Sequence, residues 1–378
     1  MRKLCVLQLI NVRWYNACAY YAVTLSRALK RRGHKVILAG DPDSPPVNVA
    51  SRFGLETYDK LYLSRMNPFT FLYNIKKLSN LIDEKKIDVI NAHRAETHLL
   101  AALCVKWFNK KIPVIRTRGD VRPPKNNMFS RYLNRNLTHK VITTAEILKK
   151  DYVRSLSLDE GKALKISPGV DNKYFTPQNP DSIWKRKLGI PDDCLVVGMV
   201  GRLSPVKGHR YFIKAADFVL RNFTGNVKFI IAGEDAQIKS YQLKQMTEQL
   251  KIRDKFSFTG KVDDIRKIVS LFDIGIVAST GSETICRVAL EYMAMGKPVV
   301  GTNINAVPEV VKHKVNGLIV PSGDSKNLGE AILLLLRDEQ LRKVFGKTSR
   351  KIVEDEFSLH RLGALTEEVY YQLMEKTN

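Results

Sequence analysis

The stretch that decides the fold is residues 274–301, IGIVASTGSETICRVALEYMAMGKPVVG. It opens with a short apolar run, Ile274–Ala278, and breaks into a polar turn over Ser279–Glu283. Helical spacing then runs to Met295, where Gly296 and Pro298 stop it, and a second apolar run, Val299–Gly301, follows. Strand, helix and strand in this order form a βαβ unit. The same alternation extends outward in both directions. Further strand-like runs are Leu4–Ile10, Lys35–Ala39, Ile87–Asn91, Val114–Thr117, Val141–Thr144, Leu195–Val200, Lys228–Ala232 and Phe256–Thr259. Helical spacing occupies Tyr20–Lys30, His98–Phe108, Tyr211–Phe223 and Leu328–Leu336. Such alternation predicts an α/β protein with parallel sheets covered on both faces. The pattern restarts near Leu195, after a polar stretch with Pro168, Gly169, Pro177 and Pro180. Two doubly wound, Rossmann-like domains are therefore expected, 1–170 and 171–357, with a C-terminal helix at about 358–376 packing back on the first. Ligands of such sheets bind at the carboxyl ends of the strands, so a cleft between the domains is the expected place for a site.

A chain of 378 residues suits two domains, and 44% hydrophobic with 26% charged residues is ordinary for a globular protein. No run approaches the ~18 apolar residues needed to span a bilayer. The start, MRKLCVLQLI, soon meets Asn11, Arg13 and Asn16 and lacks a small-residue cleavage site, so no signal peptide is expected. Five scattered cysteines, none spaced C-x-x-C, predict reduced thiols in the cytoplasm and neither disulfides nor a zinc site. The net charge of +24 is the unusual quantity. Residues 1–150 carry 28 basic and 10 acidic side chains, and 101–150 alone carry 12 against 2. That asymmetry calls for an anionic partner: nucleic acid, an anionic membrane surface or a phosphorylated substrate.

Two constellations can carry chemistry. The helix after Ser279–Glu283 is apolar nearly all round, which predicts its burial, yet Glu291 sits in its midst. A buried carboxylate is costly unless it accepts hydrogen bonds, and its two oxygens match a vicinal diol such as a ribose. Glu283 precedes the first turn of that helix. The second constellation is Gly198-Met-Val-Gly201-Arg202-Leu-Ser-Pro-Val-Lys207-Gly208, a strand ending in a loop with two cations five residues apart. Glycines admit close approach of backbone, and a guanidinium with an ammonium suits a diphosphate. The spacing matches neither a P-loop nor G-x-G-x-x-G.

These residues carry a resemblance. Glu283-x(7)-Glu291 followed by Met-Ala-Met-Gly-Lys-Pro-Val-Val-Gly-Thr, with Gly-Arg-Leu-Ser-Pro-Val-Lys-Gly upstream, resembles the nucleotide-sugar half of glycosyltransferase family 4. Ile166–Pro177, Ile230–Glu234, Phe258–Gly260, Ala306–Glu309 and Asn316–Leu318 match further segments in order. The resemblance is dense over about 165–355 and loose before it. It implies the GT-B fold, a retaining reaction, and no cofactor or divalent metal. The nucleoside diphosphate sugar is a substrate whose base (UDP, GDP or ADP) stays open. By the same resemblance Arg202 and Lys207 hold the donor diphosphate, Glu291 the ribose and Glu283 the transferred sugar, with Gly201, Thr284 and Ile285 completing the donor contacts. Three positions depart from the family. Asn16-Ala17 stands where a Gly-Gly pair is common, and Ile285-Cys286-Arg287 replaces Phe-Gly-Leu. Thr117-Arg118-Gly119-Asp120 occupies the place of a T-x-H segment, with Gly119 for the His and Asp120 or Arg118 as candidate substitutes, Asp120 in a catalytic role.

Weaker candidates complete the reading. Asp41-Pro-Asp43 mimics a D-x-D metal site but lies in a Pro-rich turn, and no metal site is expected. His93 and His98, five apart, point about 140° away from one another on a helix, which is wrong for shared ligation. His93 ends a strand and is either a cleft residue or an ordinary packed histidine. Trp14 and Tyr15, in the loop after the first strand, are either acceptor contacts or simple packing, and Asn16, Ala17 and Arg118 are further acceptor or cleft-lining candidates. The expected activity is transfer of a sugar to an acceptor hydroxyl held by the basic N-terminal domain, in lipopolysaccharide or other surface-glycan synthesis. Its acceptor is an anionic glycolipid or glycan, at the cytoplasmic face of an anionic inner membrane. A GT-B-fold epimerase or phosphorylase shares the architecture. A basic nucleic-acid-binding protein would share the charge, but no recognised binding module appears and nucleic acid is not the expected partner.

Overall fold

Thirteen parallel strands of three to six residues form among the described residues, most of them apolar runs rich in Val, Ile and Leu and buried on both faces. The computed structural model describes residues 2–64 and 67–377. It divides into unit 1, residues 1–169 with 357–378, and unit 2, residues 170–356.

Unit 1 holds a seven-stranded sheet: β1 (Cys5–Leu9), β2 (Lys35–Ala39), β3 (Glu56–Tyr58), β4 (Val89–Ala92), β5 (Val114–Arg118), β6 (Lys140–Thr143) and β7 (Ala163–Lys165). Their spatial order is β3-β2-β1-β4-β5-β6-β7, all parallel. The order reverses between β1 and β4, which opens a crevice beyond their carboxyl ends. The helix Ala17–Arg31 starts there, with Asn16 as its N-cap accepting from the Ala19 N–H at 3.1 Å. The last helix, Leu359–Thr377, packs on Ala17–Arg31. Glu367 fastens it by accepting from Arg32 Nε at 2.7 Å, with His34 Nε2 at 2.7 Å from its other oxygen. A buried polar chain ties the same helix to the sheet: Tyr370 Oη accepts from Asn91 at 3.0 Å, while Thr117 Oγ1 donates to Asn91 Oδ1 at 2.8 Å. Each such bond satisfies a group that would otherwise cost about 1–3 kcal/mol to bury.

Unit 2 holds a six-stranded sheet: β8 (Leu195–Val200), β9 (Val227–Ala232), β10 (Phe256–Gly260), β11 (Ile274–Val277), β12 (Val299–Thr302) and β13 (Gly317–Val320). The order β10-β9-β8-β11-β12-β13 puts the reversal between β8 and β11. Phe212, Phe229 and Phe256 form the aromatic centre of its core, with Phe229 and Phe256 stacked at 5.1 Å. Burying such rings contributes about 1.5–3 kcal/mol each. Three short strands, β3, β7 and β13, add to the ten that the apolar runs suggest. Both units are doubly wound parallel sheets, the two halves of a GT-B fold.

Candidate active site

In unit 2 the crevice at the strand-order reversal is flanked by the loops that follow β8 and β11. The first, Gly201–Gly208, leads into the helix His209–Asn222. Gly208 has φ +77°, and a Cβ added there would lie 1.9 Å from the Ala278 carbonyl oxygen, so only glycine permits this approach. Hydrogen bonds close the gap: the Thr280 N–H donates to Val206 O at 2.8 Å, and Thr280 Oγ1 to Pro205 O at 3.4 Å. Gly233 brings the turn after β9 equally close, since its Cβ would sit 1.9 Å from Gly201 O.

Lys207 and Glu283 meet across this junction. Lys207 Nζ donates to Glu283 Oε2 at 2.6 Å, and Ser279 Oγ donates to the same oxygen at 2.9 Å. Glu283 is buried, and among the described residues both contacts of its carboxylate fall on Oε2, so Oε1 is left to accept from a ligand. Its backbone is pinned as well: Glu283 N donates to Asn305 Oδ1 at 3.0 Å and Glu283 O accepts from Ala306 N at 3.1 Å. This pinning corrects one expectation. The helix starts at Arg287, not directly after Glu283, because Cys286 takes a left-handed φ of +49° and Glu283–Ile285 remain a buried loop. Thr284 and Ile285 are buried in that loop. The helix Arg287–Ala294 is buried as its composition predicts, and Tyr292 Oη accepts from the Val200 N–H at 2.7 Å, locking it to β8.

Glu291 is 2% exposed and accepts from Arg287 Nε at 2.6 Å on Oε1. The pair spans one helical turn, the favourable i, i+4 spacing, and again one carboxylate oxygen stays available. Arg202 is exposed, with no ion pair or hydrogen bond from its side chain among the described residues. Behind the loop, His209 is fully buried and neither ring nitrogen has a well-formed hydrogen bond, although the carbonyls of Ser204 and Gly201 face it. Burial pushes its pKa down to about 4, with Lys207 adding to the effect, so the ring is neutral at pH 7. Chemically the crevice offers one free guanidinium, one ammonium and two carboxylate oxygens at the rim of a buried helix. That set suits a ligand bearing both an anionic group and vicinal hydroxyls.

Two family models match the chain in succession: Glycosyltransferase Family 4 over residues 19–174 and Glycosyl transferases group 1 over residues 181–352. The chain belongs to the glycosyltransferases of this family. An uncharacterized glycosyltransferase of Methanocaldococcus jannaschii is 26% identical over 94% of both chains. Among solved structures, a glycosyltransferase from Rickettsia africae superposes with a TM-score of 0.90 at 23% identity over 99% of both chains. Anabaena HepE, solved in complex with UDP, superposes with a TM-score of 0.84 at 20% identity, over 98% of this chain and all of that one.

The remaining candidates of this glycosyltransferase lie in unit 1. Trp14 is exposed, Asn16 caps the helix Ala17–Arg31, and Ala17 is its first residue. His93 takes the packed alternative: it is 2% exposed and its Nε2 lies 2.7 Å from Gln8 Oε1. Burial, aided by the charge of Arg116, pushes its pKa down to about 3. His98 is likewise buried, with Nε2 2.7 Å from Thr138 Oγ1. Asp41 accepts from Ser64 N and Oγ at 2.9 and 2.8 Å. Asp120 accepts from Arg94 Nη1 at 3.2 Å and from Arg122 Nη2 at 2.7 Å. Burial alone would raise its pKa, but the hydrogen bonds and charge of Arg122, with Arg118 beside it, hold it at about 2. Sequence reasoning passed over Arg94, Arg287 and His209. The signal for Arg287 was present, one turn before Glu291, whereas nothing in the sequence brings Arg94 to Asp120.

Proposed function

We propose that the enzyme transfers a sugar from a nucleoside diphosphate sugar to an acceptor hydroxyl with retention at the anomeric carbon. The observation that carries this reading is the unit 2 crevice. There Lys207, Glu283 and Glu291 gather at the strand-order reversal, each carboxylate keeping one oxygen for a ligand. The UDP complex of the structural relative supports a nucleotide donor. Arg202 and Lys207 take the diphosphate, Glu291 the ribose diol, and Glu283 a hydroxyl of the transferred sugar. As the bond from the anomeric carbon to the diphosphate oxygen breaks, negative charge grows on that oxygen. Preorganised cations stabilise it, usually the largest single term in such catalysis. The acceptor oxygen bonds the carbon on the same face, and its proton passes to the departing phosphate. Asp120, held ionised, acts as a fixed anion that orients Arg94 and Arg122. No divalent metal takes part.

The acceptor is an anionic glycolipid or glycan of cell-surface assembly, such as a lipopolysaccharide core, reached at the cytoplasmic face of the inner membrane. Unit 1 supports this with 33 basic against 16 acidic residues. Its surface also presents exposed Met128 and Phe129 between Lys125 and Arg131. No helix among the described residues is long and apolar enough to cross a membrane. The test is a thermal-shift panel of UDP, GDP and ADP with their sugar conjugates, followed by transfer assays with and without EDTA. One nucleotide should raise the melting temperature, because a ligand of the native state stabilises it. Transfer should survive EDTA. No shift with any nucleotide would overturn the donor assignment, and loss with EDTA restored by manganese would overturn metal independence.

A further inference from the structure

Unit 1 has its own reversal crevice, between β1 and β4, and its side chains are unlike those of unit 2. Arg94 follows β4, while Arg116 and Arg118 end β5 and Arg122 follows shortly after. Asp120 joins Arg94 at 3.2 Å and Arg122 at 2.7 Å, Arg116 reaches Ala92 O just before Arg94, and the charges of Arg94 and Arg118 act on Arg116. Cys18, in the first turn of the helix Ala17–Arg31, senses both Arg94 and Arg116, which places the cluster against that helix's N-terminus.

The charges do not balance. Asp120 bonds Arg94 and Arg122, and Glu96 comes no closer than 4.0 Å to Arg94. Arg94 Nε is buried without a well-formed hydrogen bond among the described residues, although the Cys18 thiol lies beside Arg94. Arg116 is 4% exposed, and its two bonds, to Ala92 O at 3.0 Å and Thr117 O at 2.8 Å, both leave from Nη1. Neither acceptor is a carboxylate. Arg118 lies over the Tyr152 ring, 5.2 Å from its centroid, and makes no salt bridge among the described residues, Asp120 acting on it only at longer range. Gathering four like charges with one bonded carboxylate is costly in a partly buried site unless another anion shares it. Guanidinium forks and the free N–H groups of a helix start both favour phosphate oxygens.

We infer that this crevice, lined by Arg94, Arg116, Arg118 and Arg122, binds the phosphoryl group of the acceptor, so that the acceptor is a phosphate or diphosphate ester. The inference deepens the function proposed above and rests on unit 2 being the donor half. Asp120 and Tyr152 are then positioning residues that hold three of the forks in place, Arg94 and Arg122 by Asp120 and Arg118 by Tyr152.

Calorimetric titration with inorganic pyrophosphate tests it, using the full chain carrying Arg202→Ala and Lys207→Ala so that the donor loop is silent. One saturable site is expected. Adding Arg118→Gln or Arg122→Gln should weaken it at least about tenfold, the scale of one charged hydrogen bond. Lys111→Gln, which removes the same charge from an exposed position, should change it less than about twofold. Arg122 is largely exposed, so its variant folds even if Arg118→Gln does not, and a melting curve checks both. Absence of saturable binding, or equal losses in all three variants, would overturn the site. A second arm titrates UDP, GDP and ADP into the unsubstituted chain and into Arg118→Gln. Unchanged nucleotide affinity assigns the crevice to the acceptor, whereas a tenfold loss assigns it to the donor diphosphate and overturns the inference. If no nucleotide binds but Arg118-dependent pyrophosphate binding persists, the donor reading fails while the anion site stands.

Discussion

The two units share a doubly wound architecture and a crevice at the strand-order reversal, yet they treat charge in opposite ways. In unit 2 the cations meet carboxylates, Lys207 with Glu283 and Arg287 with Glu291, and Arg202 is left over. In unit 1 four arginines share Asp120 and a distant Glu96. The imbalance extends over the whole units, at +17 for unit 1 and +7 for unit 2, from 33 against 16 and 29 against 22 charged residues. The lesson concerns what each crevice is built to receive. Paired charges with one free carboxylate oxygen each present directed acceptors for hydroxyl groups. Forks that outnumber their one bonded carboxylate present a field and donors for an anion that comes from outside.

The sharpest way to break this contrast is to unpair unit 2. Lys207→Ala and Glu291→Ala should each lower turnover at saturating acceptor on the order of 10²–10³, the usual cost of one preorganised charged contact. Circular dichroism should show both folded. Near-normal turnover in either variant would mean that the pairs are merely structural and that the contrast has no functional content.

Acid distinguishes the units by stability. His93 and His98 are buried in unit 1, and His209 in unit 2, all with pKa values lowered by burial. A lowered folded-state value means no cost above about pH 6.5, where the unfolded chain is neutral too. Below it, the unfolded chain takes protons that the folded ring refuses, at ~1.4 kcal/mol per pH unit for each histidine. At pH 5 His93 in unit 1 and His209 in unit 2 should each cost about 2 kcal/mol, and the lowered His98 and His139 add to the loss of unit 1. Tryptophan fluorescence in urea measures this, with Trp184→Phe confining the signal to Trp14 and Trp107 of unit 1. Equal losses would show that burial does not set these histidines.

The surplus charge of unit 1 yields a smaller effect. Each cation near an anionic leaflet contributes about 1 kcal/mol, so Lys125→Gln with Arg131→Gln should weaken sedimentation with anionic liposomes roughly thirtyfold. Binding should also fall steeply with salt. Indifference to both changes would detach the membrane from the charge.

Much of this organisation is legible in the residues. Ten strands follow from apolar runs, because a parallel strand buried on both faces reads as continuous Val and Ile. The three additional strands are short and weakly marked: Glu56–Tyr58 lies among charged neighbours, Ala163–Lys165 is three residues long, and Gly317–Val320 opens on glycine. They exist because neighbouring strands supply hydrogen bonds, which is tertiary information. The GT-B architecture and the family follow from the motifs around Arg202 and Glu291. The pairing of Lys207 with Glu283 does not, since it depends on Gly208 bringing two loops together that are 76 residues apart along the chain. Arg116 was visible as one basic residue among many, while its burial and its unshared fork required the sheet.

Cys286 gives the finest test of how unit 2 shapes its paired crevice. It holds φ +49°, a region that costs a β-carbon residue about 1–2 kcal/mol. Its side chain is 1% exposed, and Sγ lies 3.8 Å from Glu283 O. Cys286→Gly should relieve the backbone and leave a small void, two opposing effects of about 1 kcal/mol that leave the melting temperature nearly unchanged. Cys286→Val adds β-branching at the strained φ and should be about 2 kcal/mol less stable than Cys286→Gly. Because Glu283 and Arg287 flank this residue, the same strain should spread to the ion pairs. Cys286→Val is then expected to raise the KM for the donor while Cys286→Gly leaves it within about twofold, a split that steady-state kinetics on the two variants reads directly. A valine variant as stable and as active as the glycine variant would show that the left-handed turn does not hold the two glutamates in register.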